Sequence, residues 1–253
     1  MPAEHKRPRR NLHPPGVAGR RGLGLAMAAG LARAGARVAV AARGDDAGEL
    51  ADRLGRGAEW AYFPCDLADR DQRQGLIPAV AERFGRLDVL VNGAGIQHRE
   101  PAAEFSLAKW DEITSLMLTA VFELSQQAAR LMMAQGGGKI INIGSVCSFQ
   151  GGWNIPAYTA AKHGVVGLTR ALANEWAAKN INVNCIAPGY FDTDMCAAIK
   201  ADPVREPKIL ERVPAGRWGR PEDLVGPVLF LASDASGFMH GSVLTVDGGW
   251  MGR

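Results

Sequence analysis

KIINIGSVCSFQGGWNIPAYTAAKHGVVGLTRALANEWAAKNINVNCIAPG, residues 139–189, reads as a strand, a long helix and a second strand in succession. Its outer runs, KIINIGS (139–145) and INVNCIAP (181–188), are nearly continuous in apolar residues, as strands buried on both faces are. The same alternation extends outward. RVAVAA (37–42), WAYFP (60–64), LDVLVN (87–92) and SVLTVD (242–247) are strand-like, while GLGLAMAAGLARAG, LIPAVAERFG and KWDEITSLMLTAVFELSQQAARLMMAQ are helical. Strand and helix in turn predict an α/β fold, a doubly wound parallel sheet, and no internal repeat or linker divides it.

In such a sheet ligands bind beyond the carboxyl ends of the strands, where helix N-termini direct unpaired amides. Three segments follow strands directly: Ser145, Asn92-Gly93-Ala94-Gly95 and Pro188-Gly189. Tyr158 and Lys162 then share one helix face, a turn apart. A free tyrosine titrates near about 10, and a neighbouring ammonium favours the phenolate, so the pair predicts proton exchange nearer neutral pH. A Tyr-x-x-x-Lys pair alone is common. With Ser145 placed to hold a reacting oxygen, and a Gly-rich turn upstream, it forms a constellation whose expected catalytic residues are Ser145, Tyr158 and Lys162.

The 253 residues, 47% of them hydrophobic, suffice for one sizeable domain. The net charge of +3 is too small to indicate nucleic acid, and Lys6, Arg7, Arg9, Arg10, Arg20 and Arg21 cluster near the start. Cys65, Cys147, Cys185 and Cys196 show neither zinc-site nor disulfide-framework spacing, which predicts reduced thiols, a cytoplasmic protein and no metal. Residues 1–16 are basic and Pro-rich without the apolar stretch of a secretory signal, and no segment reaches the roughly 18 apolar residues of a membrane span. A soluble protein is expected.

Gly22-Leu23-Gly24 opens an Ala-rich helix, where glycines let a pyrophosphate approach backbone amides. About twenty residues on, the strand ends in Ala42-Arg43, where an acidic residue would grip a ribose 2′-hydroxyl. An arginine there suits a 2′-phosphate, and Arg21 adds to the same preference. NADP(H) is therefore expected as the preferred cofactor, with NAD(H) second.

The chain resembles the short-chain dehydrogenase/reductase family over nearly all of residues 17–253. The resemblance rests on Gly22-x-Gly24, Asp66 in CDLAD, Asn92-x-Ala94-Gly95, Ser145, Tyr158-x-x-x-Lys162, Asn184 in NVNCIAPG, Pro188-Gly189 and the terminal VDGGW. It implies a single Rossmann-like domain over 17–253 after an atypical, flexible segment 1–16. Tyr158 is implied as general acid/base, Lys162 as the residue that lowers its pKa and binds the nicotinamide ribose, and Ser145 as the group orienting the substrate. Asp66 with Leu67 is implied at the adenine, Asn92, Ala94, Gly95, Pro188 and Gly189 along the cofactor, and Thr193 at the carboxamide. SFQGG, LANEWAAKNINVN and ILERVPAGRW look most like the family's sugar-acid dehydrogenases. That likeness implies reversible hydride transfer to a keto or hydroxy sugar acid of the gluconate or 2-dehydro-3-deoxy-gluconate type. Arg99 is then the expected carboxylate contact, with His98 beside it, and Trp153 is expected to shape the substrate pocket; His163, pointing about 100° from Lys162, is structural. The family also implies a homotetramer or homodimer, assembled through helices at 107–134 and 157–178.

Four positions depart from the family pattern. Val17 and Ala18 replace a Thr-Gly pair, Gly93 replaces an Asn, and Met117 stands where an Asn opens its helix around a relay water. Pro8, Pro14 and Pro15 do not suit the middle of a parallel sheet, so the first strand is expected to be atypical or missing. Family-like sequence begins abruptly near Gly19, which leaves either a shifted, wrongly read N-terminus or an irregular segment in that slot. Two competing functions follow. One is reduction of 3-oxoacyl thioesters; the other is a catalytically impaired member with a binding or oligomeric role.

Overall fold

The computed structural model describes residues 15–18, 21–44, 50–55 and 57–253; side chains are described from residue 21 onward. Most of the expected 1–16 segment lies outside the described residues, as do residues 45–49. In chain order the elements are β1 (Pro15–Ala18), α1 (Gly22–Arg33), β2 (Val38–Ala42), α2 (Leu50–Leu54), β3 (Trp60–Pro64), α3 (Arg70–Phe84) and β4 (Val89–Asn92). Then follow α4 (Leu107–Thr114), α5 (Ala120–Ala134), β5 (Gly138–Ile143), α6 (Pro156–Trp176), β6 (Ile181–Pro188), α7 (Ala197–Lys200), α8 (Arg205–Arg212), α9 (Val225–Ala232) and β7 (Val243–Val246).

Among the described residues the strands form one parallel sheet in the order β3-β2-β1-β4-β5-β6-β7. The order reverses between β1 and β4, so a crevice opens there above the carboxyl ends. The apolar runs feed two cores by simple alternation. Val38 and Val40 of β2 pack with α1 and α9 on one face, whereas Ala39 and Ala41 pack with α3, α5 and α6 on the other. Among the described residues no helix is long and apolar enough to cross a membrane.

Of the two outcomes expected for the first strand, atypical or missing, the structure shows the atypical one. Four residues, PGVA, lie between β2 and β4, with Val17 level with Val40 on one side and Val91 on the other. Pro15 takes the first position, where a missing N–H is tolerated, and the register shifts between Pro15 and Val17. The strand is short and irregular, but it closes the centre of the sheet.

A second difference falls in the long helix expected over 107–134. A π turn, Ser115–Thr119, separates α4 from α5. Such turns add a residue to the helical repeat and cluster at functional sites.

A line of buried amides and hydroxyls joins sheet to helices. Asn92 Nδ2 donates to Ser125 Oγ of α5 at 3.1 Å and to Asn142 Oδ1 of β5 at 2.9 Å. Asn142 Nδ2 donates to Thr169 Oγ1 of α6 at 3.0 Å, and that hydroxyl donates to Val165 O at 2.7 Å. Asn142, Ser125 and Thr169 are wholly buried. Replacing Asn142 strips a partner from both Asn92 and Thr169, leaving buried polar groups unpaired. The expected result for Asn142→Ala is a loss of about 3 kcal/mol in unfolding free energy by chemical denaturation; a change within about 0.5 kcal/mol would show that the line carries no stability.

Candidate active site

A cavity of about 1000 Å³ opens above the carboxyl ends of the strands. At one end it is bounded by the N-terminus of α1, where Arg21 occupies the cap position without a side-chain cap and leaves the first amides of the helix open. Gly22 adopts φ +56, a left-handed bend that favours glycine. A Cβ built there would stand 3.6 Å from Thr193 Cγ2, so the PGYFDT loop closes over this turn. Arg21, Leu23, Gly24, Arg43, Asp66, Leu67, Ala94, Gly95, Pro188, Gly189 and Thr193 all line the cavity. A glycine cradle at an uncapped helix end, with two guanidinium groups beside it, fits a dinucleotide carrying an extra phosphate.

Asn92 is the exception. Its side chain is buried in the amide line beneath the cavity and does not line it, so its part is to hold β4, β5 and α5 together. Gly93 takes its place in the wall. The last residue of a strand has an even chance of pointing to either face, which sequence order alone does not settle.

Ser145, Tyr158 and Lys162 line this cavity together. Ser145 caps a short turn after β5, its hydroxyl accepting from Cys147 N at 3.1 Å. Ser148 fixes the frame: its Oγ accepts the Ser145 N–H at 3.1 Å and donates to Lys162 O at 2.8 Å. That link escaped the sequence reading, although the Ser-x-x-Ser spacing matches a cap that bonds in both directions. Lys162 is buried, and its Nζ donates to Ile143 O at 2.6 Å and stands 5.7 Å from the centre of the Tyr158 ring.

Tyr158 does not carry the expected lowered pKa. The phenol is partly buried at the cavity wall, where surrounding protein desolvates its hydroxyl and pushes it above the ordinary tyrosine range. The Ser145 hydroxyl and Arg99 pull it down, and the nearby Cys147 and Cys196 thiols raise it further. Lys162 gives one of its three N–H groups to Ile143 O, and burial destabilises it as a cation. The arrangement keeps Tyr158 protonated, an acid ready to give a proton.

Met117 sits at the centre of the π turn, 1% exposed, packed with Ile113, Ala157, Ala161 and the Tyr158 ring. The helix is thus widened here with a thioether in place of an amide. Arg99 and Trp153 also line the cavity, and Trp153 is 76% exposed. His98 turns aside to Glu100, 3.1 Å away, and His163 bonds Thr159 O at 2.9 Å; neither lines the cavity. The sequence reading missed Arg205, Lys208 and Arg212 of α8, whose spacing places them on one face along the cavity wall. Arg212 lies 3.9 Å over the Trp250 ring, which packs in turn on Tyr190.

Burial pushes the Lys162 ammonium from its ordinary 10.5 down to about 8. Between those values the unfolded chain holds more protons at this site than the folded chain, so its contribution to stability rises with pH across that window. The unfolding free energy relative to Lys162→Met is expected to shift in favour of the lysine protein by about 3 kcal/mol between pH 8 and 10.5. A pH-independent difference would mean that the ammonium is solvated.

Comparison with known proteins gives this geometry a context. The family model described as enoyl-(acyl carrier protein) reductase matches residues 16–251. The chain is 47% identical over 233 residues to 2-dehydro-3-deoxy-D-gluconate 5-dehydrogenase of Escherichia coli K12, covering 92% of each chain. A Beutenbergia cavernae protein crystallised with NADP at low occupancy superposes with a TM-score of 0.92 at 46% identity, over 97% of this chain and 99% of that one. A gluconate 5-dehydrogenase from Burkholderia cenocepacia, solved with NADP and tartrate, gives 0.88 at 38% identity, over 96% and 98%. With its parallel sheet, its glycine turn and its Ser145, Tyr158 and Lys162 in one cavity, the chain belongs to the short-chain dehydrogenase/reductase family of oxidoreductases.

Proposed function

We propose that the protein interconverts a keto and a hydroxy sugar acid of the gluconate or 2-dehydro-3-deoxy-gluconate type, with NADP(H) preferred over NAD(H). The observation that carries this reading is the convergence of Tyr158, Ser145 and Lys162 in a cavity that Arg21, Arg43, Arg99 and the cations of α8 also line. Arg21 and Arg43 suit the 2′-phosphate, and the relatives solved with NADP support the same nucleotide. Arg99 suits the carboxylate of the substrate, as does the cationic face of α8.

When bound, the nicotinamide supplies or accepts the hydride. Tyr158 gives its proton to the carbonyl oxygen during reduction and takes it back during oxidation. Ser145 holds that oxygen, and Lys162 offsets charge on the phenolate left behind. With the nucleotide bound, the α1 amides with Gly22, Leu23 and Gly24 would hold its pyrophosphate, Asp66 and Leu67 would border the adenine, and Thr193 the carboxamide. The exposed Leu107, Trp110 and Phe122 along α4 and α5 support self-association through those helices, as a homotetramer or a homodimer.

Fluorescence titration with NADPH and NADH, followed by addition of a keto sugar acid, tests the reading. Tighter saturable binding of NADPH and then oxidation are expected, and Tyr158→Phe should lower kcat by about 10²- to 10⁴-fold while NADPH still binds. Faster turnover of a 3-oxoacyl thioester would move the substrate to that class. Absence of binding by either nucleotide would make the protein an impaired member with an interaction role.

Met117 bears on the rate. A thioether accepts weakly and donates nothing, so it cannot anchor a relay water beside Lys162. Met117→Asn is expected to raise kcat several-fold with KM little altered; an unchanged kcat would remove the relay from the account.

A further inference from the structure

The turn that carries Arg43 has an anchor outside the cavity. β2 ends at Ala42, and Gly44 bends the chain with φ +86. The Tyr62 hydroxyl, on the neighbouring β3, lies 3.0 Å from Ala42 O, 3.2 Å from Arg43 O and 2.8 Å from Gly44 O. Tyr62 stands level with Val40 in the sheet, so its phenol reaches up the strand to the end of β2. Ala42 O also accepts the Cys65 N–H at 2.9 Å. Three successive carbonyl dipoles with their negative ends converging on one point repel each other unless a donor stands among them. The hydroxyl supplies that donor.

We propose that Tyr62 is a positioning residue for nucleotide selectivity, its hydroxyl holding the 42–44 turn in the shape that presents Arg43 to the 2′-phosphate of NADP(H). The inference rests on the role given to Arg43 above. Arg43 is among the described residues that line the cavity and Tyr62 is not, so the tyrosine acts through the turn and not by contact. Its ring packs against the core shared by α1 and α2, which makes loss of the hydroxyl alone the informative change.

The test is calorimetric titration of the full chain with NADPH and with NADH, comparing Tyr62→Phe, Arg43→Ala and the double variant. Tyr62→Phe is expected to weaken NADPH binding about tenfold, the effect of one lost hydrogen bond, while NADH binding changes less than about twofold. At saturating NADPH kcat stays the same, and KM for NADPH rises with the dissociation constant. Arg43→Ala should show the same selectivity, and the double variant should be no worse than Arg43→Ala alone, because both changes remove one interaction. Equal weakening toward both nucleotides would reduce Tyr62 to a general structural role and overturn the proposal, as would no weakening at all. If Arg43→Ala leaves the NADPH to NADH ratio unchanged, the reading of Arg43 fails and the proposal with it. A selective Arg43→Ala beside a neutral Tyr62→Phe defeats the proposal alone.

Discussion

The hydrogen bond between the Asn92 and Asn142 side chains sets the frame on which the active site is mounted. It joins two adjacent central strands at the level where both end, and its continuations reach α5 through Ser125 and α6 through Thr169. Buried amides gain little from pairing but lose much when unpaired, so this line penalises any sliding of strands or helices past one another. Tyr158 and Lys162 ride on α6, and the Ser145 turn leaves β5. Their relative position follows from a contact that touches neither substrate nor nucleotide.

Above that frame, catalytic chemistry is set by competing demands on one small volume. Burial drives Tyr158 toward its neutral form and Lys162 toward its neutral form as well, by the same desolvation acting on opposite charges. The two effects do not cancel; they leave an acid next to a weakened cation. Lys162 and Ser145 are bound to one another through Ser148, so a shift of either is felt by both.

Much of this was legible in the sequence, for identifiable reasons. The run at 181–188 coincides with β6 because a strand covered on both faces has no polar side to confuse its limits, and the run at 60–64 coincides with β3, a partly buried edge strand whose aromatic residues favour extended backbone. β1 was hidden because Pro-Pro-Gly argues against a strand, and only the register with Val40 and Val91 reveals that one fits. The strand-end residues reached the cavity as expected except Asn92, whose neighbours on α5 and β5 lie 33 and 50 residues away in the chain. The cations of α8 gave no signal, since a charged helix reads as solvated until the cavity beside it is known. Tyr62 likewise sits in an ordinary apolar run, and its partners are main-chain oxygens that no side-chain pattern encodes.

The π turn at 115–119 also governs the phase of everything after it. A residue advances an α-helix by about 100°, so one residue accommodated in the turn rotates α5 by that angle relative to an unbroken continuation of α4. With that rotation Leu124, Ala128 and Met132 face the sheet while Phe122 and Met133 look outward. The widened turn is therefore a phase shifter: it lets one length of chain show Ile113 and Met117 to the active-site side of α6 and then show a differently clocked stripe to β4 and β5. The chain can vary the side chain at its centre, as Met117 does, without giving up the bulge, because the packing of α5 depends on the rotation and not on the amide.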